Sequence, residues 1–493
     1  MLIKSEKNKK SLGRSFLSLA SSKIIAYGLV LVNGMLLSRF RSLQEYGTYS
    51  QIILVINVAT SVLMLGLPNS LNYYLARMDT PEEKNRFVSF YYTINTVLSI
   101  VVGLILVLIT PLLEAYFKNP MLRSFLYFIA VYPWTKIIMS SVENLLVVFH
   151  KAKLLIFYRV ANSGMLLFVI LLVKWMGWTF RHYLTLLLIV EAVFSVIVYV
   201  FATANAGKLR VYFDRDLLVR VLKFSLPLGL STAMGTLRME TDKLFIGFVL
   251  DTEKLALYTN AAKELPVTMI AASFTAVLLP HIARLQKNGK TGEAVGLWHD
   301  VTELSFIINT VISGCLFVFA DEAVLFLYSS KYSEASMVFA IYSLTYILRS
   351  TYFGMILNTG GHTRLILRSS LISLGSNIVL NVGLYYTVGF VGPAIATVLS
   401  TLIGALYLLY HTAKITGMKY REIYPWKKCA QILVVNMILG VIFGFIRGMI
   451  PLSNEFARIA VAIALSCVWA GISVVIFRKT IREKLKTLNQ NEG

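Results

Sequence analysis

The chain is dominated by apolar stretches about as long as a membrane-spanning helix, and this pattern constrains its fold more than any other feature. IVVGLILVLITPLL (100–113) and LLFVILLV (166–173) are two examples, and similar stretches recur along the whole chain. A helix needs about 20 apolar residues to cross the hydrocarbon core. Hydrophobic residues make up 57% of the chain and charged residues 15%, against about 45–50% and 25% in soluble domains. The sequence therefore predicts an all-α integral membrane protein and argues against a soluble enzyme.

Apolar stretches bounded by charged residues, Gly or Pro predict about fourteen transmembrane helices. They cover residues 15–38, 46–76, 87–112, 121–149, 154–176, 182–206, 217–250, 254–282, 300–328, 335–359, 364–387, 391–413, 427–450 and 455–477. The first stretch follows a basic N-terminus and shows no small-residue cleavage pattern. We therefore expect a retained first helix and no cleaved signal peptide.

Lys and Arg residues are unevenly distributed between alternating loops. With the N-terminus in the cytoplasm, the segments on that side hold 31 of the 47 basic residues, and the loops on the opposite side hold 10. Because basic residues favour cytoplasmic loops, both termini are expected in the cytoplasm of a multi-pass protein of a bacterial-type cytoplasmic membrane. The same bias explains the net charge of +22. The basic residues do not form one face with interleaved aromatic residues, so no nucleic acid partner is expected.

Two parts of the sequence share a pattern. FRSLQEYGTYSQI (40–52) precedes a helix that ends in GLPNSLNYYLAR, and FVLDTEKLALYTNAAKEL (248–265) precedes one that ends in LLPHIARL. Tyr49 and Tyr258 are separated by 209 positions, and Pro68 and Pro280 by 212. The repeat predicts two pseudo-symmetric six-helix lobes, an arrangement common in secondary transporters. The expected organisation is a basic cytoplasmic tail (1–14), an N-lobe (15–206), a cytoplasmic linker (207–223), a C-lobe (224–413), two further helices (414–477) and a cytoplasmic tail (478–493).

Several segments are similar to those of a known transporter family. They are LLSRFRSLQEYGTYSQI, GLPNSLNYYLAR, and FSLPLGLSTAMGTLRMETDKLFIGFVLDTEKLALYTNAAKELP with LLPHIARL, which include Pro227, Asp242, Gly247 and Tyr258. In their order the segments resemble the Wzx-type polysaccharide biosynthesis flippases of the multidrug, oligosaccharidyl-lipid and polysaccharide (MOP) exporter superfamily.

The resemblance implies a V-shaped, two-lobed transporter with a central cavity. Such a protein moves undecaprenyl-(pyro)phosphate-linked oligosaccharides or cell-wall glycan precursors from the cytoplasmic to the outer leaflet by alternating access. The number of helices is also similar to that of the lipid II flippase of the superfamily, whose last two helices form a groove for the lipid tail.

Four charged residues lie within one and a half turns of the seventh predicted helix: Arg238, Glu240, Asp242 and Lys243. An ionisable side chain at the bilayer centre costs about 2.5–3.5 kcal/mol on insertion scales, so it normally faces a cavity or a partner. Arg238 and Asp242 are four residues apart and share a helix face, which allows a local ion pair. Alternatively, Arg238 faces the substrate and is held by Asp242, while Glu240 and Lys243 contact neighbouring helices.

Other basic residues in the predicted helices are candidates for the same substrate-binding site. We expect a cationic cavity lined by Arg238, Arg349, Lys23 and Lys263, the last of which is followed by Glu264. This lining suits a pyrophosphate, because the Arg fork binds phosphate oxygens bidentately and stays charged when desolvated.

The remaining charges in the predicted helices are interpreted as structural or ion-coupling residues: Asp242, Glu191, Glu143 and Lys136. Lys136 and Glu143 lie two turns apart on one face, and structural pairing is the expected role for both. Glu191 either carries a coupling proton or sodium ion or pairs with a cation on a neighbouring helix.

No cofactor, catalytic residue or metal site is expected. GKT (289–291) lacks the first Gly of a phosphate-binding loop and follows a membrane helix. The six His residues form no His-Glu-x-x-His motif, and the three Cys residues lie singly. Transport would be driven by protons, by sodium ions or by the membrane potential.

The predicted function is therefore a flippase and not an enzyme. Its expected partners are the polyprenyl-linked glycan substrate, membrane lipids and other polysaccharide assembly proteins. The alternatives are a multidrug-type cation-coupled antiporter, a membrane enzyme acting on the same lipid, and a non-transporting scaffold of a glycan assembly complex. A cavity lined by Arg and Lys has the wrong sign for organic cations, and the outer loops are too short to form a catalytic domain.

Overall fold

The computed structural model describes residues 27–266, 268–451 and 454–491. All regular secondary structure in these ranges is helical, which confirms the predicted all-α fold. Within them, ten helical stretches are long and apolar enough to cross a membrane, and two of these, Pro120–Val148 and Thr363–Thr416, contain more than one helix. Several predicted spans are interrupted by non-helical residues, so the expected number of fourteen is not confirmed.

The chain divides into two compact units, Met1–Ala256 and Leu257–Gly493. The described helices of the first unit are α1 (Tyr27–Phe40), α2 (Leu43–Leu63), α3 (Leu67–Leu75), α4 (Pro81–Phe117), α5 (Leu126–Met139), α6 (Val142–Val148), α7 (Ala152–Trp175), α8 (Phe180–Ala206) and α9 (Arg215–Val249). A short 3-10 helix, Pro120–Phe125, precedes α5, and α10 (Thr252–Ala261) begins in this unit.

Helix starts in the first unit follow local capping signals. α2 and α4 each begin with a capping box, formed by Ser42 with Glu45 and by Thr80 with Glu83. α9 begins after Asp214, whose carboxylate accepts a main-chain N–H of the first turn at 3.0 Å. These side chains satisfy N–H groups that have no partner inside the helix.

The core of the first unit is formed by buried side chains of the helices α3 to α9. Its buried members include Phe87, Tyr91, Leu145 and Val198. α4 and α5 approach each other closely, since an added Cβ at Gly103 would lie 2.2 Å from the main-chain oxygen of Ala130. Such contacts through small residues are typical of helix packing in membranes.

The segment 207–214, which the sequence assigned to a linker, is bound along the start of α4. Asn85 Nδ2 donates to the main-chain oxygen at position 208 at 3.1 Å. The hydroxyls of Ser89 and Thr93 accept the main-chain N–H groups at positions 210 and 212, both at 3.2 Å. The three side chains follow one face of α4 at four-residue intervals, so this segment is part of the first unit.

The second unit consists of two hydrophobic clusters and the helices around them. Its described helices are the end of α10, α11 (Thr268–Lys287), α12 (Thr291–Val318), α13 (Ala320–Leu327), α14 (Ser336–Ser343), α15 (Thr345–Leu348), α16 (Met355–Thr359), α17 (Thr363–Val388), α18 (Gly392–Thr416), α19 (Trp426–Met449) and α20 (Glu455–Asn491). One cluster includes Trp298, Ile356 and Tyr424. The other surrounds Trp469 and Phe443 of the last two helices.

The internal repeat appears in the helix boundaries. α4 begins at Pro81 and α12 at Thr291, and 3-10 helices of six residues span Pro120–Phe125 and Ser330–Ala335. Both pairs are separated by 210 positions, from 81 to 291 and from 120 to 330. This spacing lies within the range of 209 to 212 seen in the sequence, so the repeat extends well beyond the two segments that predicted it.

The division between the units falls at Ala256, within α10 and not within the predicted linker at 207–223. The first unit includes α9 because this helix packs on α2 and α3. The predicted boundaries of the lobes and tails, the V shape and the central cavity stay predictions.

Candidate functional site

The four charges of the seventh predicted helix lie on α9, which is unbroken. Lys243 Nζ donates to Glu240 Oε2 at 2.8 Å. Asp242 is 1% exposed, and its Oδ1 accepts the main-chain N–H of Lys243 at 2.8 Å. Arg238 is half-buried one turn earlier. Glu240 and Lys243, which we expected to contact neighbouring helices, thus pair with each other, and the pairing of Arg238 with Asp242 stays a prediction.

A break in the eighth predicted helix lies in the second unit, where α10 ends at Ala261. Lys263, Glu264 and Leu265 are non-helical. The buried hydroxyl of Tyr346 bridges this break, because it donates to the main-chain oxygen of Lys263 at 3.3 Å and accepts the N–H of Leu265 at 3.2 Å. A side chain from another helix therefore satisfies main-chain groups that the break leaves without helical partners.

Arg349 lies beside this break. The sequence placed it midway along a continuous helix, but α15 ends at Leu348 and residues 349–354 are non-helical. Its guanidinium forms an ion pair with Glu264, and the two side chains are 19% and 31% exposed. The structure therefore brings together three charged residues of the second unit, namely Lys263, Glu264 and Arg349. Lys23, the fourth residue of the predicted cationic lining, lies outside the described residues.

The first unit also contains two broken helices. Residues 64–66 separate α2 from α3, and residues 140–141 separate α5 from α6. Asn144 joins α3 and α6, the second halves of the two broken helices. Its Nδ2 donates to the main-chain oxygen of Pro68 at 2.8 Å, and its Oδ1 accepts from Asn72 Nδ2 at 2.8 Å. At the repeat spacing of 210 positions, the break at 140–141 corresponds to 350–351, within the break at 349–354. Interrupted helices at corresponding positions of two repeats are a marker of binding sites in transporters.

Glu143 and Lys136 do not share one continuous helix, because the break at 140–141 lies between them. Glu143 pairs with Arg159 of α7, a partner that the sequence did not identify, and its structural role stays a prediction. Lys136 lies 5.6 Å from the ring centroid of Tyr132 and interacts electrostatically with Glu191 of α8.

Glu191 is buried inside the first unit. Its negative charge acts on three buried tyrosines, Tyr132, Tyr158 and Tyr183. Of the two alternatives that the sequence left open, a cation on a neighbouring helix is present, since Lys136 supplies one. In the described part of the chain, no group of three His, Cys, Asp or Glu side chains is arranged to hold a metal ion.

The surroundings of Arg349 differ from those of Arg238, which lies within the unbroken helix α9. Arg349 and Lys263 lie at non-helical backbone, where charged side chains and main-chain groups are close together. Within a membrane, such backbone is tolerated only where protein surrounds it or where it lines a water-filled cavity. Sequence reasoning missed Tyr346, and the signal that was available is Pro266, which disfavours helical geometry in the preceding residue.

A family model described as "Polysaccharide biosynthesis protein" matches residues 36–337, which is more than half of the chain. The chain belongs to this polysaccharide biosynthesis protein family. The matched range includes the charged turn of α9 together with Lys263 and Glu264, and it ends before Arg349.

One curated relative of this polysaccharide biosynthesis family member is the probable low-salt glycan biosynthesis flippase Agl15 of Haloferax volcanii. The two are 26% identical over 209 residues, which is 41% of this chain and 43% of the relative. The match therefore spans less than half the length of that relative.

Solved structures of MOP superfamily transporters share the fold of this family member. The lipid II flippase MurJ in an inward closed conformation gives a TM-score of 0.75 at 16% identity, over 94% of this chain and 99% of that one. An inward-facing multidrug resistance MATE family transporter gives 0.63 at 15% identity, over 82% and 98%. A Pyrococcus furiosus transporter of the MOP superfamily, described as having a binding pocket of reverse polarity, gives 0.56 at 15% identity, over 82% and 95%. The protein is thus a multi-pass membrane protein with the MOP transporter fold.

Proposed function

We propose that this protein is a flippase that moves a polyprenyl-(pyro)phosphate-linked oligosaccharide or cell-wall glycan precursor from the cytoplasmic to the outer leaflet by alternating access. The observation that carries the proposal is the pairing of Arg349 with Glu264 beside Lys263, at two helix breaks of the second unit. The family match and the curated glycan biosynthesis flippase support the same substrate class.

The chemistry of the head group fits these residues. A pyrophosphate carries charge that apolar surroundings penalise, so a protein that moves it needs cations inside the membrane region. Arg349 provides two parallel N–H donors for phosphate oxygens, and Lys263 adds a point charge. Arg238 of α9 and Lys23 are assigned to the same role. The polyprenyl tail would stay in the surrounding lipid, where its burial requires no polar partner.

We assign the binding of a coupling ion to Glu191 of the first unit. Glu191 is a buried carboxylate whose charge is offset by Lys136, so gain of a proton or a sodium ion there would change the local charge balance. Such a change couples to transport only if the two conformations bind the ion with different affinity. Glu143, which pairs with Arg159, and Asp242 are assigned structural roles, and no other cofactor is proposed.

The same charges disfavour the multidrug-type antiporter as a second candidate. An organic cation that approached this cluster would be repelled by the positive charges of Arg349 and Lys263. We propose no enzymatic activity, because the family relatives are described as biosynthesis proteins, flippases and transporters. The proposed location is the cytoplasmic membrane of a bacterial-type cell, with both termini cytoplasmic and other polysaccharide assembly proteins as partners.

The decisive experiment compares two substrates in proteoliposomes that contain the full-length protein. A polyprenyl pyrophosphate-linked oligosaccharide, initially on one leaflet, is scored by accessibility to an external lectin, and uptake of a fluorescent organic cation under an imposed pH gradient is scored in parallel. Protein-dependent lectin accessibility without cation uptake is the expected result. Cation uptake without lipid translocation would overturn the proposal in favour of the antiporter, and neither activity, across several lipid-linked glycans, would favour the scaffold.

A further inference from the structure

Glu264 occupies an unusual place for an acidic residue in a site assigned to an anionic substrate. It lies in the non-helical segment between α10 and α11, directly after Lys263, and its carboxylate contacts the Arg349 guanidinium. Neither partner is fully buried, since their side chains are 19% and 31% exposed. Each side chain is therefore partly exposed, while Oε1 of Glu264, the atom that contacts Arg349, is itself buried.

The backbone on both sides of Glu264 is fixed independently of the ion pair. Tyr346 binds the main chain of Lys263 and of Leu265 through its hydroxyl. Tyr346 lies in α15 and Arg349 directly follows this helix, and the Arg349 N–H donates to the main-chain oxygens of Thr345 and Tyr346 at 3.0 and 3.2 Å. Release of the Glu264 carboxylate from Arg349 would thus leave the break itself held by Tyr346.

Charge balance favours exchange over permanent pairing. An arginine within the membrane region normally has a counter-charge or faces a cavity. In the ligand-free protein, Glu264 supplies this charge. A phosphate group offers more negative charge and the same two-pronged geometry toward guanidinium. It can therefore replace the carboxylate on Arg349 without leaving either state with a bare cation.

We propose that Glu264 is a displaceable counter-ion of Arg349, and that a phosphate of the substrate head group takes its place during transport. This inference rests on the proposed flippase function. It assigns a role in substrate specificity to Glu264, for which the sequence indicated a position but no role. Glu264 then selects for ligands that carry enough negative charge to compete with it, and it favours release of the head group by returning to Arg349 at the end of the cycle.

The test measures binding of inorganic pyrophosphate and of a short-chain polyprenyl pyrophosphate to the purified full-length protein in nanodiscs. Removal of the competing carboxylate in Glu264→Gln should tighten binding of both probes about 5-fold, which corresponds to about 1 kcal/mol, the upper range for a partly exposed ion pair. Arg349→Ala should weaken binding, and the Glu264→Gln/Arg349→Ala double variant should bind no better than Arg349→Ala alone.

Asp300→Asn is the matched control. Asp300 forms an ion pair with Lys484 at 2.5 Å in the same unit, with side chains that are 16% and 23% exposed. It adds the same single positive charge as Glu264→Gln but leaves Arg349 paired, so pyrophosphate affinity should stay at the wild-type value. Equal tightening in both variants would reduce the effect to general electrostatics and would overturn the proposal.

Two further outcomes separate this inference from the function on which it rests. Wild-type flipping with unchanged or weaker pyrophosphate binding in folded Glu264→Gln would overturn the counter-ion role alone. Absence of flipping by the wild type would remove the proposed function first, and the inference with it. If Glu264→Gln fails to fold, Glu264→Asp retains the charge on a side chain shorter by one methylene, and a lack of tightening in that variant would count against the proposal.

Discussion

Replacement of Gly66 by Ala should destabilise the first unit strongly, because two separate features of the backbone require glycine there. Gly66 lies in the break between α2 and α3 with φ of +71°, a region that costs an L-residue roughly 1–2 kcal/mol. An added Cβ would also lie 2.4 Å from the main-chain oxygen of Ser225 and 2.6 Å from the nitrogen of Gly229 on α9. The atoms in contact are backbone, so rotation of a side chain cannot relieve the clash.

The magnitude follows from the sum of these effects. Overpacking of a tight contact costs about 1–3 kcal/mol, and with the positive φ the expected loss for Gly66→Ala is about 2–5 kcal/mol. Gly229→Ala meets the same contact from within α9, where its Cβ would lie 2.3 Å from the carbonyl carbon of Leu65. Alanine is favoured over glycine in a helix by about 1 kcal/mol, so the net loss there should be smaller, about 0–2 kcal/mol.

Gly235→Ala provides the matched control, since nothing lies within 4 Å of a Cβ at this position of α9. The helix propensity of alanine should make this variant as stable as the wild type or more stable by up to about 1 kcal/mol. Thermal unfolding of the detergent-purified proteins, followed by tryptophan fluorescence, should give the lowest Tm for Gly66→Ala and the highest for Gly235→Ala. Equal Tm values for these two variants would refute the close approach of the break to α9.

Three further predictions concern stability. Trp469→Ala should lower the free energy of unfolding by about 3–5 kcal/mol, because the buried indole lies against Gly314 and Gly440 and donates to Asn436 Oδ1 at 3.0 Å; denaturant titration measures the loss, and Trp469→Phe should lose less. Glu322→Gln should cost about 1.5–3 kcal/mol in the same titration, since Glu322 Oε1 accepts two N–H groups of Arg447 at 2.9 and 2.7 Å, and a loss no larger than that of the exposed Glu293→Gln would contradict this. A hydrogen bond from the main chain of Leu217 lowers the pKa of Asp214. The contribution of Asp214 to stability is therefore present above its unfolded-state pKa of about 4 and is lost as pH falls through the lower folded value. Asp214→Asn should weaken the fall in Tm between about pH 5 and 3, and the same fall in Tm for both proteins would count against this helix cap.

The helical membrane fold was predictable because bilayer thickness sets the length of an apolar stretch directly. The repeat was predictable for a related reason. Tyr49 and Tyr258 preserve the register of two halves whose helix boundaries recur at nearly the same spacing. The breaks were not located from hydropathy. The apolar pattern continues through residues 64–66, and the predicted span 335–359 runs through residues 349–354. The break at Lys263 and Leu265 is stabilised by a tertiary partner, Tyr346.

The charged residues of the candidate site were predictable from the sequence, but the ion pairs that they form were not. Spacing along one helix suggested a common face for Lys136 and Glu143, but a break separates them. Glu143 forms an ion pair with Arg159, and Lys136 interacts electrostatically with Glu191. The partner of Arg349, Glu264, comes from a segment 85 positions earlier (264 to 349). Pairs of this kind depend on how helices pack against each other, which sequence spacing within one helix does not report.

The most direct test of the proposed cationic site measures flipping of a polyprenyl pyrophosphate-linked oligosaccharide by Arg349→Ala and by the Arg238→Ala/Arg349→Ala double variant, in proteoliposomes with lectin detection. Arg364→Ala, which removes an exposed arginine at the start of α17, serves as the matched control, and the Tm of each protein verifies folding. We expect wild-type flipping in Arg364→Ala, a large loss in Arg349→Ala and no flipping in the double variant. Wild-type rates in a folded double variant would contradict this expectation, because both arginines would then be structural residues and the anionic head group would cross without them.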